Sequence, residues 1–343
     1  MRVAVLGRSG ILYETIDRLR GAGHEVVLVG TCRAADEYGI REKDFEEKAK
    51  SISAVFFNDA AINSEKIVSL LRSAGAEIAV SFNWLTVVGA EAAGCFKYGI
   101  LNAHCGDLPR YRGNACPNWA ILKGEKEYAI SVHYMKPGEL DSGDILIKRK
   151  YPIGDKTYIT DIYENMKKVI PDMFTEAVGM IEKGHGKGEA QSTDPADSLR
   201  CYPRIPSDSF IDWNDTCENI IRNIRASSHP FSGAYCYCNG QKIYIFEAAS
   251  EGYPAPCHVN PGQVISVDRD KGSVGIAASD GIVSVKRVTA DGVEHDASEI
   301  LKSTRIRLNF CLPDEVYGLR RELAELKGEI SALKEEISAL KEH

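Results

Sequence analysis

Along the first half of the chain, apolar positions follow two rhythms. "RVAVLG" is a short continuous apolar run, whereas "RSGILYETIDRLRGAG" after it spaces Ile11, Ile16 and Leu19 close to one helical face. "HEVVLVG", "ISAVFF", "AEIAVSF" and "YGILNAH" repeat the short run. Between them lie a polar loop, the charged stretch "REKDFEEKAK" and the helix-like "NSEKIVSLLRSAG". Strands alternating with helices at this spacing predict βαβ units, hence an α/β fold with a Rossmann-like, doubly wound, mostly parallel sheet. Two more strands, "YAISVHYM" and "ILIKRKYPI", precede a long helix, "YITDIYENMKKVIPDMFTEAVGMIEKG", which Pro171 is expected to kink or divide.

The second half changes character. "HGKGEAQSTDPADS" has linker composition, and past it one helix-like stretch, "TCENIIRNIRAS", gives way to short runs bounded by turns, with Asn239–Gly240 as a hairpin signal. A small OB-like β-barrel is the expectation. From Leu319 onward, Leu and Ile recur at alternating spacings of four and three. Ile330 and Ile337 fall at heptad position a and Leu at d, with Glu322, Glu329 and Glu336 at g and Lys327, Lys334 and Lys341 at e. This layout favours a parallel two-stranded coil and a homodimer, and its regularity fits a native zipper and an appended one alike. The expected domains are 1–184 (catalytic), 185–200 (linker), 201–312 (OB-like) and 316–343 (coiled-coil helix).

Composition narrows the function. With 343 residues, 44% hydrophobic and 27% charged, the chain reads as soluble and globular, without a membrane-length apolar run or a signal-peptide pattern. A cytoplasmic location follows as an expectation. The ten cysteines are scattered, with Cys236 and Cys238 the close pair, which suits reduced packed thiols better than a metal site. A net charge of −7 weighs against a nucleic-acid partner. The first turn, "GRSG", lacks the third glycine of a dinucleotide fingerprint and reads as a tight strand-to-helix turn.

The chemistry concentrates at "GILNAHCGDLPRYRGNACPNWAI". Asn102 and His104 share one side of a strand tip, at the sheet edge where ligands bind in this architecture. Asp141 opens a glycine-containing turn in "LDSGDIL". An amide, an imidazole and a carboxylate together suit acyl transfer to an amine, which needs donors for a developing oxyanion and an acceptor for the amine proton. Cys105 and Cys116 flank the site without a recognisable activating arrangement, so a thiol nucleophile is the lesser reading.

The combination Asn-x-His, Leu-Pro-x-Tyr-Arg-Gly, Ala-Ile-x-x-Gly-Glu and Leu-Asp-x-Gly-Asp resembles the formyltransferases that use 10-formyltetrahydrofolate. "RIPSDSFIDW", "HPFSGAYCYCNGQKIYIFEA" and "GVEHDASEIL" extend the resemblance to the C-terminal domain of methionyl-tRNA and amino-sugar formyltransferases, so that it covers roughly residues 1 to 308. The resemblance implies that Asn102 and His104 hold the formyl oxygen, and that Asp141 orients His104 and helps take the amine proton. It also implies that Phe82, Asn83, Trp84 and Leu85 bind the pterin of the co-substrate. The chain departs from the family in "HCGDLP", where Ser-Leu often follows Asn-x-His-Gly.

Three acceptor classes compete: a dTDP- or UDP-linked amino sugar, methionyl-tRNA, or none at all in a vestigial assembly module. Residues 201–312 hold 11 Lys and Arg against 13 Asp and Glu, a balance of −2, and the segment after the second strand is short and tends acidic. The tRNA enzymes resembled here carry a long basic insertion there. A small nucleotide-sugar therefore leads, with Arg110, Tyr111 and Arg112 as candidate substrate contacts.

Overall fold

The computed structural model describes residues 1–35, 38–253, 257–308 and 312–341; residues 342 and 343 of the expected tail lie outside these. The chain divides into two compact units, Met1–Asp208 with Arg225–Ser232, and Ser209–Ile224 with Gly233–His343.

The first unit runs β1 (Arg2–Gly7), α1 (Gly10–Gly21), β2 (Glu25–Thr31), α2 (Glu42–Ser51), β3 (Val55–Asn58), α3 (Glu65–Ala74), β4 (Ile78–Phe82), α4 (Ala90–Ala93), β5 (Ile100–His104), β6 (Arg112–Gly113), α5 (Cys116–Leu122), β7 (Glu127–Tyr134), β8 (Ile145–Pro152), α6 (Ile159–Glu182) and β9 (Arg200–Cys201). The main sheet has the order β3-β2-β1-β4-β5-β7-β8. Its first five strands are parallel, while β7 is antiparallel to both β5 and β8. The buried runs of β1 and β4 explain why the central strands read as continuously apolar: both sheet faces are covered. One apolar layer includes Ile16, Leu19, Phe45 and the inner stripe of α6; the other includes Ile67, Val68 and Leu71 of α3. Chain order reverses between β1 and β4, which opens a crevice at the carboxyl ends of the strands.

Two expectations change here. Pro171 does not divide α6, which is one helix of 24 residues. Buried Ile162, Met166 and Ile170 before the proline, and Met173, Phe174 and Ala177 after it, keep one stripe against the core. Second, residues 185–200 belong to the first unit. Glu189 exchanges two backbone hydrogen bonds with Ile145, and Arg200 and Cys201 pair with β6.

The second unit contains most of α7 (Cys217–Ser227), then β10 (Ala234–Cys238), β11 (Gln241–Ile245), β12 (Ala249–Glu251), β13 (Val264–Asp268), β14 (Ser273–Ala277), β15 (Ile282–Val285), β16 (Arg287–Ala290), β17 (Val293–Asp296), α8 (Ala297–Ile300) and α9 (Leu312–Lys341). Its strands form two antiparallel four-stranded sheets, β10-β11-β16-β17 and β12-β15-β14-β13. Asn239 and Gly240 both adopt positive φ, +50° and +80°, the geometry of a two-residue hairpin turn. Trp213 is fully buried in this unit's core. Among the described residues, no helix is long and apolar enough to cross a membrane.

Candidate active site

A cavity of about 310 Å³ lies within the first unit, at the carboxyl ends of β4 and β5. It is lined by residues 82–88, 102–105, 113–117 and 139–141 together with His133, Met135, Lys136, Tyr163 and Met166.

Asn102 and His104 are 9% and 8% exposed, so two polar side chains are held in an almost dry place. The antiparallel register sets His133 of β7 directly opposite Asn102. This second imidazole was not singled out from the sequence, where it sits inside an ordinary-looking strand; the strand register alone brings it to the site. His133 Nδ1 is 2.9 Å from the Tyr134 carbonyl, which can only accept, so that nitrogen carries a proton. Its Nε2 faces the Asn102 amide at 3.2 Å.

The same reasoning fixes the tautomer of His104. Its Nε2 lies 2.6 Å from the Tyr111 carbonyl and therefore donates, which leaves Nδ1 facing Asp141 Oδ2 at 3.5 Å. Asp141 sits between the two rings, with Oδ1 at 3.5 Å from His133 Nε2 and Oδ2 accepting from Gly113 N–H at 3.0 Å. Burial lowers the pKa of His104 from its ordinary 6.5 and outweighs the opposite pull of Asp141. Burial also opposes ionisation of Asp141, but the two imidazoles and the Gly113 N–H reverse that and hold its carboxyl at about 2. At neutral pH the pair is a carboxylate beside a neutral imidazole whose Nδ1 can accept a proton.

Close backbone approach dictates two glycines here. A Cβ at Gly143 would stand 1.9 Å from the Tyr134 carbonyl oxygen, and one at Gly106 would stand 2.2 Å from the Tyr111 oxygen. Asp141 itself occupies the left-handed region at φ +49°, a conformation its surroundings must hold. Gln191 is part of what holds it. Its Nε2 donates to the carbonyls of Asp141 (2.9 Å) and Gly143 (2.7 Å), while its Oε1 accepts from Arg112 Nη2 at 2.6 Å. Gln191 lies in the stretch read as a linker, and linker composition hides such a contact.

The remaining candidates separate. Phe82, Asn83, Trp84 and Leu85 all line the cavity. Phe82 is buried, whereas Leu85 is 49% exposed and stands open to a ligand. Asn83 is committed by φ +57° and by a 2.8 Å bond to the Tyr38 hydroxyl. Arg110, Tyr111 and Arg112 are absent from the lining. Arg110 reaches Glu125 at 3.6 Å, the Tyr111 hydroxyl donates to Glu125, and Arg112 is engaged by Gln191. Tyr111 meets the site through its carbonyl. Cys105 is pushed up by burial, and Cys116 by its contact with Cys201 and by burial, so both stay protonated thiols. This argues against the lesser, thiol-nucleophile reading.

Residues 1–178 match the family described as formyl transferase, and residues 205–305 match its C-terminal domain. The chain belongs to the formyl transferase family. It is 27% identical over 296 residues to a methionyl-tRNA formyltransferase of Symbiobacterium thermophilum, covering 85% of this chain and 89% of the relative. Among solved structures, the sugar 3N-formyl transferase WlaRD, described with dTDP and 5-N-formyl-THF, superposes with a TM-score of 0.61 at 17% identity, covering 85% of this chain and 98% of that one. HypX from Aquifex aeolicus, in complex with tetrahydrofolic acid, gives a TM-score of 0.57 at 18% identity and covers 88% of this chain. The present chain spans about half of HypX, 47% of its length. At these identities the structural likeness speaks for the fold. Family membership makes the protein a formyltransferase.

Proposed function

We propose that the protein transfers a formyl group from 10-formyltetrahydrofolate to the primary amine of a nucleotide-linked amino sugar. The observation that carries the choice of acceptor is charge: residues 201–312 hold 11 basic against 13 acidic side chains. A polyphosphate backbone is normally held by several cations, whereas a diphosphate needs one or two. A cavity lined by the apolar Trp84 and Leu85 as well as the polar Asn102 and His104 fits a flat folate ring that carries a reacting group.

The co-substrate would supply an activated formyl carbon; the side chains do the rest. As the amine nitrogen bonds to that carbon, the Asn102 amide donates to the oxygen gaining charge. His104 Nδ1 takes the proton the amine must lose, and the resulting imidazolium rests against the Asp141 carboxylate, 3.5 Å away. Nε2 stays bonded to the Tyr111 carbonyl and keeps the ring in place. His104 returns the proton to the departing folate nitrogen as the carbon–nitrogen bond to the donor breaks. Gln191 and Gly113 keep Asp141 in position.

A second reading rests on the sequence relatives, since the matched methionyl-tRNA formyltransferases align across both domains. One experiment separates the two. Co-substrate consumption is followed with dTDP- and UDP-linked amino sugars and, in parallel, with initiator Met-tRNA. Turnover of at least one nucleotide sugar and none of the tRNA supports the proposal. Rapid formylation of Met-tRNA, with tight and strongly salt-dependent binding, replaces it with the second reading.

A further inference from the structure

α9 runs unbroken from Leu312 to Lys341, passing through Gly318 and Gly328. Glycine is the weakest helix former after proline, so each of the two weakens the helix interior relative to alanine. In the heptad frame these glycines fall at c and f, on the side away from the a/d seam. The seam itself is open: Leu319, Leu323, Leu326, Ile330, Leu333 and Ile337 are 50–62% exposed. A helix with two interior glycines and an uncovered apolar stripe does not draw its order from propensity; it needs a surface to pack on.

The charges beside the seam say which surface. Position g holds Glu322, Glu329 and Glu336, and position e holds Lys327, Lys334 and Lys341. In a parallel, in-register pair of identical helices each g residue meets the e residue five positions on in the other copy, so that every such contact joins Glu to Lys. In an antiparallel pair g meets g and e meets e, which sets like charges together. Ile at a with Leu at d favours two strands over three or four. From the exposed seam and this complementarity we infer that α9 is one strand of a parallel, two-stranded coiled coil, and that its occupant is a second copy of this chain. Gly318 and Gly328 then lie on the outer face, where a missing side chain loses no seam contact.

Sedimentation equilibrium of the full-length protein at micromolar concentration provides the test, with near-UV circular dichroism and the melting curve of each variant checking that the globular part is intact. The wild type should be a dimer. Ile330→Asp with Ile337→Asp should weaken it by at least about a hundredfold in Kd, since two charges enter the seam of each helix. Glu322→Lys, Glu329→Lys and Glu336→Lys together should weaken it about tenfold or more, and adding Lys327→Glu, Lys334→Glu and Lys341→Glu should restore it. A monomeric wild type, a trimer or tetramer, or a dimer indifferent to the two aspartates overturns the inference. An unchanged dimer after the g-position reversal overturns the parallel orientation and with it the choice of partner geometry.

Discussion

The strand tip and the C-terminal helix break the usual rule of burial in opposite directions. At the tip, Asn102, His104 and His133 are 1–9% exposed although each is polar. On α9, six leucine and isoleucine side chains are 50–62% exposed although each is apolar. Burying an amide or imidazole is costly unless a partner takes its hydrogen bonds, and leaving an apolar stripe in water forgoes stabilisation that burial would give. The tip answers its cost within the fold: the Tyr111 and Tyr134 carbonyls each accept from a ring N–H, and the Asn102 amide donates to His133 Nε2. Among the described residues, these six on α9 stay largely uncovered. The first arrangement is complete before any ligand arrives, which is what chemistry needs; the second, on the inference drawn above, is completed by a second copy of the helix.

Four measurements break or sharpen this contrast. Replacing the polar groups should cost most: Asn102→Ala, His104→Ala and Asp141→Ala are each expected to lower kcat by about 10² or more with the melting curve nearly unchanged. Near-normal turnover in all three would remove the site assignment. Gln191→Ala should come next, at roughly tenfold to a hundredfold in kcat with a smaller change in KM, because Asp141 loses the amide that holds its strained backbone. Gln191→Glu, which cannot donate to the Asp141 and Gly143 carbonyls, should not rescue it.

The third measurement is the pH profile. Protonated His104 cannot accept the amine proton, and burial puts its pKa below 6.5, so kcat/KM should fall only in the acid range beneath that value. Asp141 pulls this pKa upward; in Asp141→Asn the acid limb should therefore move to lower pH while the plateau drops. A limb that stays in place would show that a different group titrates. The smallest effect is expected from the helix: Ile330→Asp should leave kcat within about twofold, since no residue of α9 is among those that line the cavity. A large loss of activity would show that the seam and the strand tip are not independent.

Local pattern was enough for much of this molecule. The apolar runs of β1, β2, β4 and β5 are continuous because both sheet faces are covered, and the periodicity of α1 and α3 follows from each packing one face. Asn102 and His104 share a side through the strand's period of two, and the turn chemistry of Asn239–Gly240 needs only its own two residues. The heptads of α9 are likewise written in the sequence. Other features depend on residues far apart in the chain. Cross-strand register made His133 a neighbour of Asn102, and a pairing between residues 145 and 189 carried Gln191 to Asp141. The continuity of α6 through Pro171 was set by the core on which it lies, and the tautomer of His104 by one carbonyl seven residues away. Spacing along a chain determines which face a side chain takes, because that depends on backbone geometry alone; which groups meet there is decided by packing between elements, and that exists only once the tertiary structure has formed.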